Sequence, residues 1–317
     1  MQVLQDRRDR LAPGAATAIS IGVFDGVHLG HQHVLRQLRA DAERLGVASA
    51  VVTFDTHPAL VLRPESAPRL LTTLPQKLEL LAANGVDVVY VVHFDQERAG
   101  TTAEEFVREV FVDSLRARAI VVGEDFHFGK DRRGTVARLR ELGADAGFVV
   151  RGLELIRHAP GALEPVTSTA VRRALAGGDV TAASAMLGRP YEVRGTVVPG
   201  AGRGAPLGFP TANIDVPAQM AWPADAVYAG WYERPDGSRW PAAINIGRRP
   251  TFVQHAATSV IEAHLIGSRV ELLGEDARLS FVELLRSEQR FSDAEALVAQ
   301  LQRDVDAART VLAAHEP

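Results

Sequence analysis

The chain has 317 residues, enough for about two domains with a core each, and with 46% hydrophobic and 23% charged residues it has the composition of an ordinary globular protein. Thirty-five basic residues stand against 39 acidic ones, a net charge of -4 without a basic block or tail, so nucleic acid and anionic membrane have little electrostatic support as partners. The start MQVLQDRRDRLAPG has no apolar segment and no later run approaches the ~20 apolar residues of a membrane span, so the expected location is the cytoplasm; zero cysteines, which do not fix the compartment, leave oxygen and nitrogen groups to carry any catalysis.

From Ala18 to about Val150, short β-rich runs alternate with helical patterns, which predicts a doubly wound α/β parallel sheet. The expected strands are Ala18 to Ile21, Ala48 to Phe54, Val86 to Phe94, Ala119 to Val122 and Gly147 to Val150. A helix with Val34, Leu35, Leu38, Ala42 and Leu45 on one face starts at His31, one near Lys77 stops at Asn84-Gly85, and one opens at Thr102 with the capping box T-A-E-E. Ligands of such sheets bind beyond the carboxyl ends of the strands, where this sequence puts Asp25, His28 and His31, then His57 and Pro58, then Glu124 and Asp125.

The first of these ends is the most informative. A strand, a glycine-bearing turn from Gly22 to Val27 and a helix start make a place where free backbone N–H groups and the helix dipole favour an anion. In H-x-G-H, Gly30 lets phosphates approach the backbone, while His28 and His31 supply donors. On the tetrad alone three readings stand: polar residues at a loop edge, a metal cluster of His28, His31 and His33, or a nucleotide site. The later runs VVGEDFHFGKDRRG, with Lys130, Arg132 and Arg133, and VTSTAVR read locally as a charged surface loop and a Ser/Thr helix cap.

Helical patterns at Thr169 to Ala176 and Val180 to Leu187 end at Gly188-Arg189-Pro190, where the periodicity changes; the expected domains are 1–188 and 189–317. From Tyr191 to about Leu285 alternating strands without helices predict a small antiparallel β-barrel, with a hairpin turn at Pro235 to Gly237. A long helix follows, opened by a capping box at Ser292-Asp293-Ala294-Glu295 and striped by Leu297, Leu301, Val305, Ala308 and Leu312. In GAGRGAPLGFPTANI, Gly200, Gly202, Gly204 and Gly208 read as a flexible loop. Thr211 and Asn213, two apart on an extended chain, could together hold Mg²⁺ bridging ATP phosphates. Glu262, in the strand SVIEAHLIG, is either an exposed strand carboxylate or a base.

The full string G-V-F-D-G-V-H-L-G-H, Gly22 to His31, resembles the adenylyltransferase module of the bifunctional riboflavin kinase/FMN adenylyltransferase family, the prokaryotic FAD synthetases. L-G-F-P-T-A-N and N-I-G-R-R-P-T-F, Asn245 to Phe252, resemble its riboflavin kinase module. The resemblance covers nearly the whole chain and implies a bifunctional enzyme that phosphorylates riboflavin to FMN with ATP and adenylylates FMN to FAD, with Mg²⁺ assisting. It implies catalytic roles for His28, His31 and Glu262. Nucleotide binding falls to Gly22, Phe24, Asp25, Gly30, Ser168, Thr169, Arg172, Gly202, Gly204, Gly208, Thr211 and Asn213. His57, Pro58, Asp125, Arg286 and Phe291 would lie near the flavin. Two departures are visible: Thr167 stands where the family has Ser, and E-L-L-G at Glu271 to Gly274 lacks the Tyr of the family's L-Y-G string. An adenylyltransferase whose barrel only binds flavin, a different phosphate monoester as adenylyl acceptor, and an OB-like nucleic-acid binder are the alternatives; the barrel strands lack the basic, aromatic face that the last requires. Nothing in the sequence fixes an oligomeric state.

Overall fold

A computed structural model describes residues 1–154, 156, 164–200, 202, 204–248, 259–268 and 270–315. The chain divides into two compact units, Met1–Ser168 and Thr169–Pro317. The first runs β1 (Gln2–Gln5), β2 (Thr17–Ile21), α1 (Leu29–Leu45), β3 (Ala48–Phe54), α2 (Pro58–Leu62), α3 (Leu74–Ala83), β4 (Val88–Val92), α4 (Gln96–Ala99) and α5 (Ala103–Phe106), which continues as a π-helical segment, Val107–Ser114. It goes on through β5 (Ala117–Gly123), the hairpin β6 (His127–Phe128) and β7 (Gly134–Thr135), α6 (Val136–Ala146) and β8 (Val149–Leu153). Then come α7 (Ser168–Ala176), α8 (Val180–Leu187), β9 (Tyr191–Val198), β10 (Ala212–Asp215), β11 (Ala226–Glu233), β12 (Arg239–Arg248), β13 (Ser259–Leu265), β14 (Asp276–Ser287) and α9 (Ala294–Ala313).

In the first unit six parallel strands lie in the order β1-β4-β3-β2-β5-β8. The apolar runs of the four central strands, β4, β3, β2 and β5, are buried on both faces. On one face Leu35, Leu38 and Ala42 of α1 and Leu81 of α3 pack on Ala18, Val51, Val89 and Val121; on the other, Phe106, Phe111 and Leu139 pack on Ile19, Val52, Tyr90 and Ile120. This is the expected doubly wound sheet. The chain moves outward from β2 through β3 and β4 on one side, then restarts on the other side at β5. The loop after β2 therefore leaves the sheet at the topological switch point, where such sheets bind ligands.

Several expected boundaries shift for local reasons. α1 starts at Leu29, two residues before His31, because His28 caps it: its Nδ1 accepts from the His31 N–H at 3.3 Å. Leu45, expected on the buried face, is 37% exposed. The expected Val86 to Phe94 strand is shorter, since Val86 N–H closes the end of α3 on Leu81 O and Phe94 N–H goes to the Asp55 carboxylate. Gly147, expected to open a strand, is the left-handed C-cap of α6. At Thr102 and Glu105 the capping box is formed as expected, but at α9 the cap is Asp293, which accepts from Ala296 N–H, and the Ser292 hydroxyl merely donates to Asp293. β1 was not expected at all: only Leu4 of its four residues is buried.

The second unit closes β10-β13-β12-β11-β14-β9 into an antiparallel barrel. Ile244 and Ile246 of β12, Ile261 and Ala263 of β13, and Leu279 and Phe281 of β14 are fully buried at alternate positions. Ala229 and Trp231 of β11 pack with Val305, Ala308 and Leu312 of α9, while Leu297 and Leu301 of the expected stripe are half-buried. Among the described residues no helix is long and apolar enough to cross a membrane.

A buried ion network explains how the polar edge strand β1 is held. The Arg98 guanidinium of α4 meets the Asp6 carboxylate at 2.7 Å with both side chains 1% exposed, and Glu109 at 2.8 Å; the Tyr90 hydroxyl also donates to Asp6 at 3.0 Å. Removing Asp6 takes away the buried carboxylate of this network and leaves the buried guanidinium with Glu109 alone. Asp6→Ala is expected to lower stability by about 3–5 kcal/mol, read as a reduced midpoint in equilibrium urea unfolding.

Candidate active sites

Between β2 and α1 the backbone is bent hard: Phe24 and Val27 have φ of +52° and +40°, the left-handed region that a β-branched residue rarely enters. Such residues cost on the order of 1–3 kcal/mol each and persist only where the surroundings hold them. Here the holding is visible. The Asp25 carboxylate accepts from the backbone N–H of Leu71 and of Thr72, each at 3.0 Å, and from the Thr72 hydroxyl at 3.2 Å. Thr72 Oγ1 in turn accepts from Gly26 N–H at 3.1 Å, and Gln32 donates to Val27 O at 3.0 Å. Asp25, expected at the nucleotide, is thus also the tie of this loop, a role the motif alone did not suggest.

The bend delivers two imidazoles to the start of α1. They stack, with centroids 3.7 Å apart and planes 17° from parallel, and His31 also lies against the Phe24 ring at 4.9 Å. Because His28 Nδ1 accepts from the helix, its proton when neutral sits on Nε2. His31 Nδ1 is buried and has no hydrogen-bond partner among the described residues. Burial, then the neighbouring His28 and Lys77, push the His31 pKa well down, so it is neutral at pH 7. A Cβ on Gly30 would stand 3.0 Å from the His28 ring and 3.0 Å from Val166 O, a space that only glycine leaves open. The Ser168 hydroxyl donates to Asp25 O at 2.9 Å; Thr169 and Arg172 follow it in α7, exposed and half-buried.

The neighbouring strand ends carry the other expected residues. His57 caps α2, its Nδ1 accepting from Ala59 N–H at 3.1 Å with Pro58 in the first turn. Asp125 is exposed, and its carbonyl accepts from His127 at 2.7 Å; Lys130, Arg132 and Arg133 are exposed. Among the described residues no group of three or more His, Cys, Asp or Glu is placed to hold a metal ion, which removes the His28, His31 and His33 cluster. Two groups were missed by the sequence reading. Lys77, on α3, is buried with its ammonium on Thr53 and Phe54; burial brings its pKa down to about 8, against the opposing charges of Asp25 and Asp55. Asp55 and His93 pair at 2.6 Å. Burial pushes the Asp55 carboxyl up, but His93 and the amides of Phe94 and Thr56 outweigh it and hold it below the usual range, while the Asp55 hydrogen bond raises His93. A basic residue in L-P-Q-K-L-E-L-L carries no local sign that it points inward.

In the barrel, register does the assembling. Glu262 on β13 stands opposite Asn213 on β10 and opposite Asn245 on β12, so three polar residues form one row across adjacent strands. Their neighbours Ile261, Ala263, Ile244 and Ile246 are buried in the core, so the row has the opposite face. Directly opposed side chains have Cβ atoms within about 5.5 Å. Asn213 is 5% exposed, and a Cβ on Gly200 would overlap its amide, so the glycine loop lies on that side chain. Thr211 is exposed and sits just before β10; His264, two along from Glu262, donates to Pro210 O at 2.8 Å and fixes the approach to it. Gly204 O accepts from Phe209 N–H at 2.9 Å, folding the Gly204 to Gly208 stretch into a compact turn; Gly202 has a φ of +66°. Arg249 to Phe252 of the second kinase string lie outside the described residues. Arg286, expected near the flavin, forms a two-pronged ion pair with buried Asp304 at 2.7 and 2.8 Å, binding β14 to α9, and its guanidinium lies 5.8 Å from the Phe291 ring.

Residues 12–164 match the family model for FAD synthetase and residues 187–312 that for riboflavin kinase. The bifunctional riboflavin kinase/FMN adenylyltransferase of Escherichia coli K12 is 35% identical over 310 residues, 96% of each chain. That of Pseudomonas fluorescens is 39% identical (93% of this chain, 92% of that one), and that of Bacillus subtilis 33% identical (92% and 90%). A crystal structure from Streptococcus pneumoniae, titled a macrolide-efflux protein, has a TM-score of 0.86 at 26% identity, covering 98% of this chain and 99% of that one. With both units matched and relatives 33–39% identical over nearly its full length, the chain belongs to the bifunctional riboflavin kinase/FMN adenylyltransferase family, its FAD synthetase domain N-terminal and its riboflavin kinase domain C-terminal.

Proposed function

We propose that adenylyl transfer takes place at the start of α1 and phosphoryl transfer along the Asn213–Glu262–Asn245 row of the barrel. The observation that carries the first assignment is the His28 cap. It commits Nδ1 to the helix, which places the proton of the neutral ring on Nε2, beside a His31 whose buried Nδ1 has no partner among the described residues. The phosphate of FMN has a second pKa of ~6, so at neutral pH the attacking oxygen is already charged and needs no base. It forms a bond to the α-phosphorus of ATP while the bond to the β-phosphate oxygen breaks and pyrophosphate leaves. His28, His31 and the first N–H groups of α1 would hold the charge that builds on those oxygens. Gly22, Phe24, Asp25 and Gly30 would shape the path, with Ser168, Thr169 and Arg172 on the phosphates and His57, Pro58 and Asp125 toward the flavin.

A riboflavin hydroxyl is almost fully protonated at neutral pH, so the second reaction needs a base. Glu262 would take that proton as the oxygen bonds to the γ-phosphorus and ADP leaves. Gly202, Gly204 and Gly208 would let the loop close on the phosphates. The Thr211 hydroxyl and Asn213 amide are neutral oxygen donors, a set suited to Mg²⁺ that arrives with ATP rather than to a protein-bound ion. When bound there, the ion neutralises phosphate charge. Arg286 and Phe291 would lie near the flavin.

Glu262→Gln is expected to lower FMN formation from riboflavin by about 10²–10⁴-fold and to leave FAD formation from supplied FMN intact, both followed by chromatography. Undiminished FMN formation would instead leave the barrel as a flavin-binding module. His31→Ala should do the converse, reducing FAD formation by about 10²–10³-fold while riboflavin is still phosphorylated. Removing divalent ions with EDTA should stop both reactions, and added Mg²⁺ should restore them.

A further inference from the structure

Of the 35 basic residues only Lys77 and Lys130 are lysine, and every other one is arginine. Lys130 is exposed; Lys77 is 6% exposed. A guanidinium stays charged at any accessible pH, whereas a buried ammonium is a compact charge that can lose its proton. Lys77 Nζ donates to Thr53 Oγ1 at 3.3 Å and to Phe54 O at 3.2 Å, at the carboxyl end of β3. Thr53 Oγ1 passes the interaction on, donating to Val23 O at 3.1 Å. Val23 precedes the left-handed Phe24, so this relay ends on the bent loop that carries His28. An ammonium has three donors, and two are used on described residues. The charged and titratable groups facing it are Asp25 on the loop, Asp55 after β3 and His31 on α1, with His28 against His31 and His93 against Asp55.

We propose that Lys77 is a positioning residue for adenylyl transfer: through Thr53 it fixes the Val23–His28 bend, and it sets a positive charge behind His31 that draws the nucleotide's phosphates to the start of α1. The inference rests on placing that transfer at α1. A lost proton removes the positive charge while the neutral amine keeps two N–H groups for Thr53 and Phe54, so the electrostatic contribution is the one that titrates, and FAD formation should weaken as the pH rises through about 8, where burial has brought the ammonium. The barrel reaction has no such dependence on this group.

The test uses the full chain with FMN, ATP and Mg²⁺ over pH 6–10, and riboflavin phosphorylation of the same preparations as the control for folding. Lys77→Met should lower kcat/KM for ATP in FAD formation about 10²-fold at pH 7, keep riboflavin phosphorylation near the wild-type rate and lack the wild-type decline above pH 8. Lys77→Arg, permanently charged, should also lack that decline. A Lys77→Met protein with wild-type FAD formation, or with the wild-type alkaline limb, overturns the proposal. A measurement on the unmutated protein guards against misfolded variants: with ¹⁵N-lysine it should give two ammonium signals, identified with Lys130→Arg. The Lys77 signal should shift on adding pyrophosphate, and a stationary signal overturns the proposal. His31→Ala separates this from the underlying placement: if it too forms FAD normally, the placement at α1 is what fails.

Discussion

The bend between β2 and α1 is the constraint on which the first unit's chemistry depends. A β-branched residue and an aromatic one sit in left-handed backbone that neither favours, and they are held by the buried Asp25 carboxylate, which receives the amides of Leu71 and Thr72, together with the bonds of Gly26 to Thr72 and of Gln32 to Val27 O. The bend in turn lets His28 be both the last loop residue and the cap of α1. Without that geometry the helix would start elsewhere, and the stacked imidazoles would not share one corner with its N-terminus. Strain in the loop and order at the site are one arrangement.

The two units solve different chemical problems with different materials. In the proposed reaction the first meets an already charged nucleophile, which calls for donors and positive potential, and the start of α1 brings together imidazoles, helix amides and a buried ammonium suited to that task. The second must take a proton from an alcohol, and the proposed base is a carboxylate between two amides on a barrel wall. Placing Glu262 on a paired strand rather than a loop fixes its position through hydrogen bonds on both sides. Against that wall Gly200 lies directly on the Asn213 amide, where a side chain would not fit.

Much of this was legible in the residues. Alternation and helical periodicity located five of the parallel strands and the barrel, because burial imposes those patterns directly. β1 was invisible, since three of its four residues face water, and its pairing with β4 and the ion network at the adjacent Asp6, not an apolar pattern, hold it. His28 and His31 were visible through their spacing with Gly30. The Asn213–Glu262–Asn245 row was only partly so: Glu262 and Asn213 lie in recognisable strings, but that Asn245 stands beside them is a matter of strand register, which single strands do not encode. Lys77 and His264 were passed over for the same reason. Each acts through a carbonyl or hydroxyl distant in sequence, Phe54 and Thr53 for one and Pro210 for the other.

Closure of the barrel bears on how the chain is made. β9 pairs with β14 across Tyr191↔Phe281 to Thr196↔Asp276, so the ring stays open until nearly the whole second unit has been synthesised, and α9 comes later still. The parallel sheet, by contrast, has all six of its strands by residue 153. Domains generally fold as units, N-terminal first during synthesis. A ribosome therefore presents a completed adenylyl-transferring half while the phosphorylating half is still an open sheet with two unpaired edges, and that interval is when the nascent chain most needs protection from pairing with a neighbour.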